Sequence, residues 1–244
     1  MLRKRVQEAI TQLFEEVSTK QDEAITHAAA ACSSAIRNGH SVHLYDTGHI
    51  IDSELFNRAG GFALLRQFKY NLNVVNGARQ QDHLEDVKDR NMEGLAAFAL
   101  KQANIYKGDI LFIGSVSGIS FNVVDLALAA KEMGITVIVL SALSYSKTLN
   151  SLHPSNKKLY ELGDIVIDNC APIGDGMLEI EGIEQKFLPA SGLSAAYIMW
   201  LIMADTLETL LEHDITPGIL GSVNYPPNVE YNINLEKIYQ DKGI

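Results

Sequence analysis

The chain has 244 residues, 47% of them hydrophobic, which is enough apolar material for a full core, and 20 Lys and Arg stand against 30 Asp and Glu for a formal net charge of −10. That negative surplus excludes a general attraction to nucleic acid or anionic lipid, so no nucleic acid and no membrane is an expected partner and any anionic ligand must be held by local geometry. No uninterrupted apolar run approaches the ~18 residues that span a bilayer. The N-terminus, Met1-Leu2-Arg3-Lys4-Arg5-Val6-Gln7-Glu8, turns polar instead of entering a signal-peptide core, and a cytoplasmic location is expected.

Residues 2–38 are predicted as helix. Val6, Ile10, Leu13, Phe14 and Val17 fall on one stripe and Ala24, Ala28, Ala31 and Ala35 on another, with a division near Ser18-Thr19 and a stop at Asn38-Gly39. An arm of this length suits packing against a partner subunit. Cys32 in this helix and Cys170 further on have neither metal spacing nor a disulfide framework and read as buried small residues. Ser41 to Tyr45 is a predicted strand, broken at Asp46-Thr47-Gly48, and Ile50 to Ala59 a helix ending at Gly60-Gly61. Leu72 to Val75 is weakly strand-like, the polar stretch Asn76 to Arg90 reads as a loop or lid, and a helix is expected from Asn91 to Gln102.

Asp109 to Ile113 is an apolar strand that runs into Ser115-Val116-Ser117-Gly118-Ile119-Ser120 and then a helix from Phe121 to Met133, closed by Gly134. Ile135 to Leu140, β-branched and apolar throughout, fits a parallel strand covered on both faces and ends at Ser141. Asp164 to Asp168 makes a further strand, Gln185 to Leu188 is expected as the fifth, and Leu193 to His213 is a helix apolar on most sides. The Pro- and Asn-rich tail is expected as a loop with a short helix near Leu235 to Tyr239. Strands alternating with helices give an α/β fold with helices on both faces of a parallel sheet.

In such a sheet ligands bind beyond the carboxyl ends of the strands. Three of these turns carry small polar residues: Thr47-Gly48-His49, Ser115 to Ser120, and Ser141. Free backbone N–H groups and Ser hydroxyls at the entry to a helix suit a single phosphoryl group. The absence of a Walker Lys and of G-x-G-x-x-G argues against ATP hydrolysis and a dinucleotide, and no cofactor is expected. Ser at such a turn also serves as an ordinary helix cap. His43 alternates within a strand and reads as a core histidine, while His27, His83, His153 and His213 share no ligand spacing, so no metal is expected.

Ser115-Val116-Ser117-Gly118-Ile119-Ser120 matches the S-x-S-G-x-[ST] turn of the SIS (sugar isomerase) domain family, and the chain resembles that family. Gly48-His49, Glu54-Leu55-Phe56, Arg58-Ala59-Gly60-Gly61, Leu126 to Lys131 and Asp168-Asn169-Cys170-Ala171-Pro172 with Gly174-Asp175 are similar to single-domain bacterial members related to phosphoheptose isomerases. The resemblance implies a three-layer α/β/α sandwich around a five-stranded parallel sheet, with a helical arm over 1–39, the SIS phosphosugar-binding domain over 40–215 and a C-terminal loop and short helix over 216–244. It implies a homo-oligomer, dimer or tetramer, and a phosphorylated sugar held by Thr47, Gly48, Ser115, Ser117, Gly118, Ser120 and Ser141.

By the same resemblance Glu54 shuttles a proton between adjacent sugar carbons and His49 assists, as in an aldose/ketose isomerase. A phosphosugar-sensing module without turnover, and a lyase or etherase, are the alternatives. A carboxylate acts as a base only when desolvated and within reach of the proton, and Arg58, four residues on, offers Glu54 a helical ion-pair partner. The chain departs from the family's G-[ST]-G-H-S turn with Asp46 and Ile50, and has Pro189-Ala190-Ser191-Gly192 where relatives tend to carry more hydroxyls.

Overall fold

Successive side chains of a strand point to opposite faces, so a strand apolar at every position must be covered twice. β3 (Ile110–Gly114) over 110–113 and β4 (Thr136–Ser141) over 137–140 are built this way. Ile110 and Phe112 join one apolar cluster with Ile138 and Leu140, while Leu111 and Ile113 join a second, on the other face, with Val137 and Val139. The computed structural model describes residues 1–48, 52–56, 58–72 and 92–242.

β1 (Val42–Asp46), β2 (Leu65–Gln67) and β5 (Ile165–Asp168) complete a five-stranded, wholly parallel sheet of order β2-β1-β3-β4-β5. α1 (Leu2–Lys20), α2 (Asp22–Arg37) and α7 (Ser191–Glu212) lie on the first face, with α2 packed along α7. α4 (Leu95–Gln102) and α5 (Phe121–Glu132) cover the second face. The short α3 (Asp52–Leu55) and α6 (Leu143–Ser146) follow β1 and β4, and α8 (Pro227–Lys242) ends the described chain. By length and composition α7 would cross a membrane; in this fold its Ala195, Ile198, Met199, Ile202, Met203 and Leu210 are core residues.

The α/β/α sandwich is the expected one, with differences in detail. The fifth parallel strand is Leu65–Gln67, not Gln185–Leu188. The latter lies in an antiparallel hairpin of β6 (Gly176–Ile180) and β7 (Ile183–Pro189), separate from the main sheet. Glu184, Gln185 and Lys186 are exposed on both sides of that strand, which no doubly covered position tolerates. The arm divides at Gln21 rather than Ser18-Thr19, and α4 begins at Leu95 after a turn that includes Gly94. The described part of the helix after β1 stops at Leu55, four residues before Ala59, and Gly60 and Gly61 then bond to Leu220 and Arg58. The C-terminal helix is longer than expected because Pro227 opens it and no breaker follows until Gly243. The expected lid at 76–90, His83, His49 and the end of the strand-like 72–75 lie outside the described residues.

His43 is a core histidine, 4% exposed, as expected. Its Nε2 stands 3.5 Å from Asp109 Oδ2, and Asp109 also accepts the Ser41 N–H at 2.9 Å and the Tyr106 N–H at 2.8 Å. Burial alone would raise the Asp109 carboxyl. The His43 ring beside it and the hydrogen bonds from Ser41 and Tyr106 outweigh that penalty and hold the group below the usual carboxylate range.

Candidate functional site

A sheet of this order reverses its winding between β1 and β3, and the crevice outside their carboxyl ends is where ligands bind. Asp46 at the end of β1 pairs in register with Gly114 at the end of β3, and Gly114 with Leu140 near the end of β4. The three expected turns therefore leave the sheet side by side.

The Ser115–Ser120 turn is shaped by what its carbonyls bind. Val116 O accepts the Ser141 hydroxyl at 3.0 Å and the Ala142 N–H at 3.0 Å. Gly118 O accepts the Leu159 N–H at 2.8 Å, and Ile119 O accepts the Leu152 N–H at 3.0 Å. In a trans peptide the C=O and the following N–H point in opposite directions. With all three carbonyls drawn into the protein, the N–H groups of Ser117, Ile119 and Ser120 face outward. Neither these amides nor the hydroxyls of Ser117 and Ser120 have a partner among the described residues. Gly118 has φ +61, the left-handed step that a concave row of amides requires, and α5 starts directly after Ser120 with its partly positive end. The arrangement is an anion cradle built from neutral donors.

The other expected residues take different positions. Ser115 is 6% exposed; its Oγ accepts the Gly118 N–H at 3.3 Å and keeps its own proton to donate. Ser141 is fully buried beneath the turn, its hydroxyl committed to Val116. Thr47 directs both its N–H (3.4 Å) and its hydroxyl (3.3 Å) at Gly114 O, and the Gly48 N–H donates to Asp46 Oδ2 at 2.6 Å. The donors of the first turn are thus spent within the protein, next to an acid.

Glu54 forms an ion pair with Arg58. Both line a cleft of about 610 Å³ with Phe14, Leu193, Tyr197 and Trp200, where Phe14 stacks on Tyr197 at 4.5 Å between centroids. Phe14 and Leu193 pack in the same apolar cluster as Val116, so the cleft and the serine turn share a wall.

Several residues of this region make contacts that their sequence context did not disclose. Asp168 Oδ1 accepts the N–H groups of Leu143 and Cys170, both at 3.0 Å, fixing the ends of β4 and β5. Burial, aided by the Asp168 charge, pushes the Cys170 thiol up to about 12 and keeps it protonated at neutral pH. Asp175 accepts the N–H of Ala190 at 3.1 Å, the N–H of Ser191 at 2.8 Å and the Ser191 hydroxyl at 2.9 Å, so the start of α7 already holds a carboxylate. The His153 ring lies tilted against Phe121, 4.7 Å between centroids, beside the serine turn, with Nε2 4.0 Å from Asp125 Oδ1. Burial raises the Asp125 carboxyl above its ordinary range. Among the described residues no group of three or more His, Cys, Asp or Glu converges as a metal site.

The sequence profile of the SIS domain matches residues 7–142. A UPF0309 protein of Oceanobacillus iheyensis is 37% identical, covering 96% of this chain and 94% of the relative. One from Shouchella clausii is 32% identical over 92% of this chain and 91% of its own. Among solved structures, a phosphoheptose isomerase from Neisseria gonorrhoeae shares the fold with a TM-score of 0.50 at 16% identity, covering 84% of this chain and 97% of that one. The chain belongs to the SIS domain family and, within it, to the UPF0309 proteins.

Proposed function

We propose that the chain binds a phosphorylated sugar, with the phosphoryl group on the Ser115–Ser120 turn and the sugar carbons toward the Glu54 cleft, and that it interconverts aldose and ketose phosphates. The observation that carries this reading is the set of outward N–H groups at Ser117, Ile119 and Ser120, flanked by two uncommitted hydroxyls at the mouth of the parallel sheet. Neutral donors at the start of α5 favour a compact dianion without needing a cationic surface, which suits a chain of net charge −10. The first turn, with its donors spent and Asp46 beside it, suits sugar hydroxyls better than a second phosphoryl oxygen. The fold shared with a protein named phosphoheptose isomerase fits the same chemistry. Ser115, Ser117 and Ser120 contact the phosphoryl group together with the Ile119 amide, Gly118 gives the turn its left-handed step, and Ser141 acts from beneath.

In this reaction the Glu54 carboxylate takes the proton from the carbon next to the carbonyl and returns it to the neighbouring carbon, through an enediol, with His49 assisting at the carbonyl oxygen. A ligand entering the cleft has to draw Glu54 away from Arg58 and exclude water from it. Incubation with a panel of aldose and ketose phosphates in deuterated water tests this by mass spectrometry. Deuterium incorporated at C1 or C2 by the wild type and lost in Glu54→Gln supports it; no exchange with any member opposes it.

The Glu54–Arg58 pair also favours a second reading, a sensor that binds phosphosugar without turnover. Thermal stabilisation by a sugar phosphate that survives Glu54→Gln, with no exchange by the wild type, selects that reading. Assembly as a homo-oligomer belongs to the same proposal and is supported by the exposed apolar side chains of Val223, Tyr225 and Ile233.

A further inference from the structure

The segment between α6 and the 3-10 turn at Leu159–Glu161 crosses the serine turn, and two of its amides hold two of the turn's carbonyls, Leu152 on Ile119 and Leu159 on Gly118. Leu159 is fully buried and anchored by its own packing, whereas the Leu152 side chain is 68% exposed. The Leu152 N–H is therefore held in place by its neighbours.

The neighbour is His153. Its Nδ1 accepts the Ser155 N–H at 3.1 Å and lies 2.8 Å from the Ser155 hydroxyl, which orients the ring. Nε2 faces Asp125 Oδ1 at 4.0 Å, and the ring lies on Phe121, the first residue of α5. The His153 N–H donates to Ser151 Oγ at 3.0 Å, and Ser151 Oγ donates to Lys157 O at 2.6 Å. At the base of the segment Lys158 Nζ bonds the carbonyls of Ser146 and Leu149, each at 3.0 Å. The segment is thus tied to itself, and His153, its ring against Phe121 and its Nε2 facing Asp125 beyond hydrogen-bond distance, is where it packs on the helix that follows the cradle.

We propose that His153 is a positioning residue for anion binding. Wedged between Phe121 and Asp125, it holds the Leu152 amide on the Ile119 carbonyl and so aims the Ser120 N–H into the cradle. This rests on the reading of the serine turn as a phosphoryl seat. The imidazole does not touch the ligand; it fixes the tilt of one peptide plane, which would otherwise have to be ordered at the moment of binding, at a cost in affinity.

The test uses the full chain and inorganic phosphate, with the amide signals of Ile119 and Ser120 followed by NMR and the affinity taken from the same titration. His153→Ala is expected to weaken phosphate binding roughly tenfold, the equivalent of one charge-assisted hydrogen bond, and to reduce the phosphate-induced shift of Ser120 more than that of Ser117. His153→Phe, which keeps a ring against Phe121, is expected to recover most of the affinity. Leu152→Pro, which deletes the donor while changing an exposed side chain, is expected to reproduce the alanine defect. Wild-type affinity and shifts in both His153→Ala and Leu152→Pro overturn the positioning role and leave the phosphoryl seat standing. If phosphate moves no amide of the turn in the wild type, the seat itself is wrong and the positioning role falls with it. A uniform loss across all turn amides with no recovery in His153→Phe also overturns the proposal, because that is the signature of general unfolding.

Discussion

Ser141 donates its hydroxyl to the Val116 carbonyl at 3.0 Å while fully buried, so it supports the serine turn from below instead of meeting the ligand. The Ala142 N–H shares that carbonyl, and Ser141→Ala should therefore leave the turn in place while loosening it. The expected cost is about 1 kcal/mol in denaturant melts. Inorganic phosphate affinity should fall by less than tenfold, a smaller loss than removal of Ser117 or Ser120 produces.

Gly118 is constrained twice. Its φ of +61 disfavours any side chain, and a Cβ there would lie 3.1 Å from Leu159 Cβ and 3.2 Å from Ser141 Oγ. Gly118→Ala should cost about 1–2 kcal/mol from the backbone alone and abolish phosphate binding. Gly94 has φ +85 with nothing within 4 Å of such a Cβ, so Gly94→Ala supplies the comparison. It should show the backbone cost in thermal melts and keep the affinity.

The Asp109 carboxyl, held low by His43 and two amides despite its burial, makes stability depend on pH with a definite sign. A group whose folded value is depressed stabilises fully above its unfolded value, near ~3.9 for Asp, and loses that contribution as pH falls through the lower folded value. Asp109→Asn should be less stable than the wild type by about 2 kcal/mol at neutral pH. The gap should close on acidification below pH ~4. Urea melts of both proteins over a pH series read it.

Asp175 caps the 22-residue helix α7 through two N–H groups and the Ser191 hydroxyl. Asp175→Ala should cost about 1–2 kcal/mol. Because the carboxylate lies outside the proposed phosphoryl seat, affinity for inorganic phosphate should stay at the wild-type level in the same preparation.

The layering was legible because β3 over 110–113 and β4 over 137–140 are apolar at every position and the Ser115–Ser120 turn lies between a strand and a helix. The edge strand was not. Leu65–Gln67 is only three residues long with a polar pair at its end, whereas Gln185–Leu188 mimics a strand and is one, but in a hairpin outside the main sheet. Within the site, residue type disclosed donors but not whether they were spent. Thr47, Gly48 and Ser141 look like Ser117 in sequence, yet their donors bond to Gly114, Asp46 and Val116, partners that only the fold supplies. The roles of Asp175 and His153 depend on contacts 15 or more residues away, Asp175 with Ala190 and Ser191 and His153 with Phe121 and Asp125, and local spacing carries no trace of them.

In the proposed function Ser117 and Ser120, with the amides beside them, seat a phosphoryl group. Calorimetric titration of a panel of aldose and ketose phosphates, alongside their unphosphorylated sugars, into the wild type and a Ser117→Ala, Ser120→Ala double variant tests it most directly. The expected result is measurable affinity for at least one phosphorylated member, none for its unphosphorylated counterpart, and a loss of roughly tenfold or more in the double variant. Equal affinity in the two proteins for every phosphorylated sugar would contradict it.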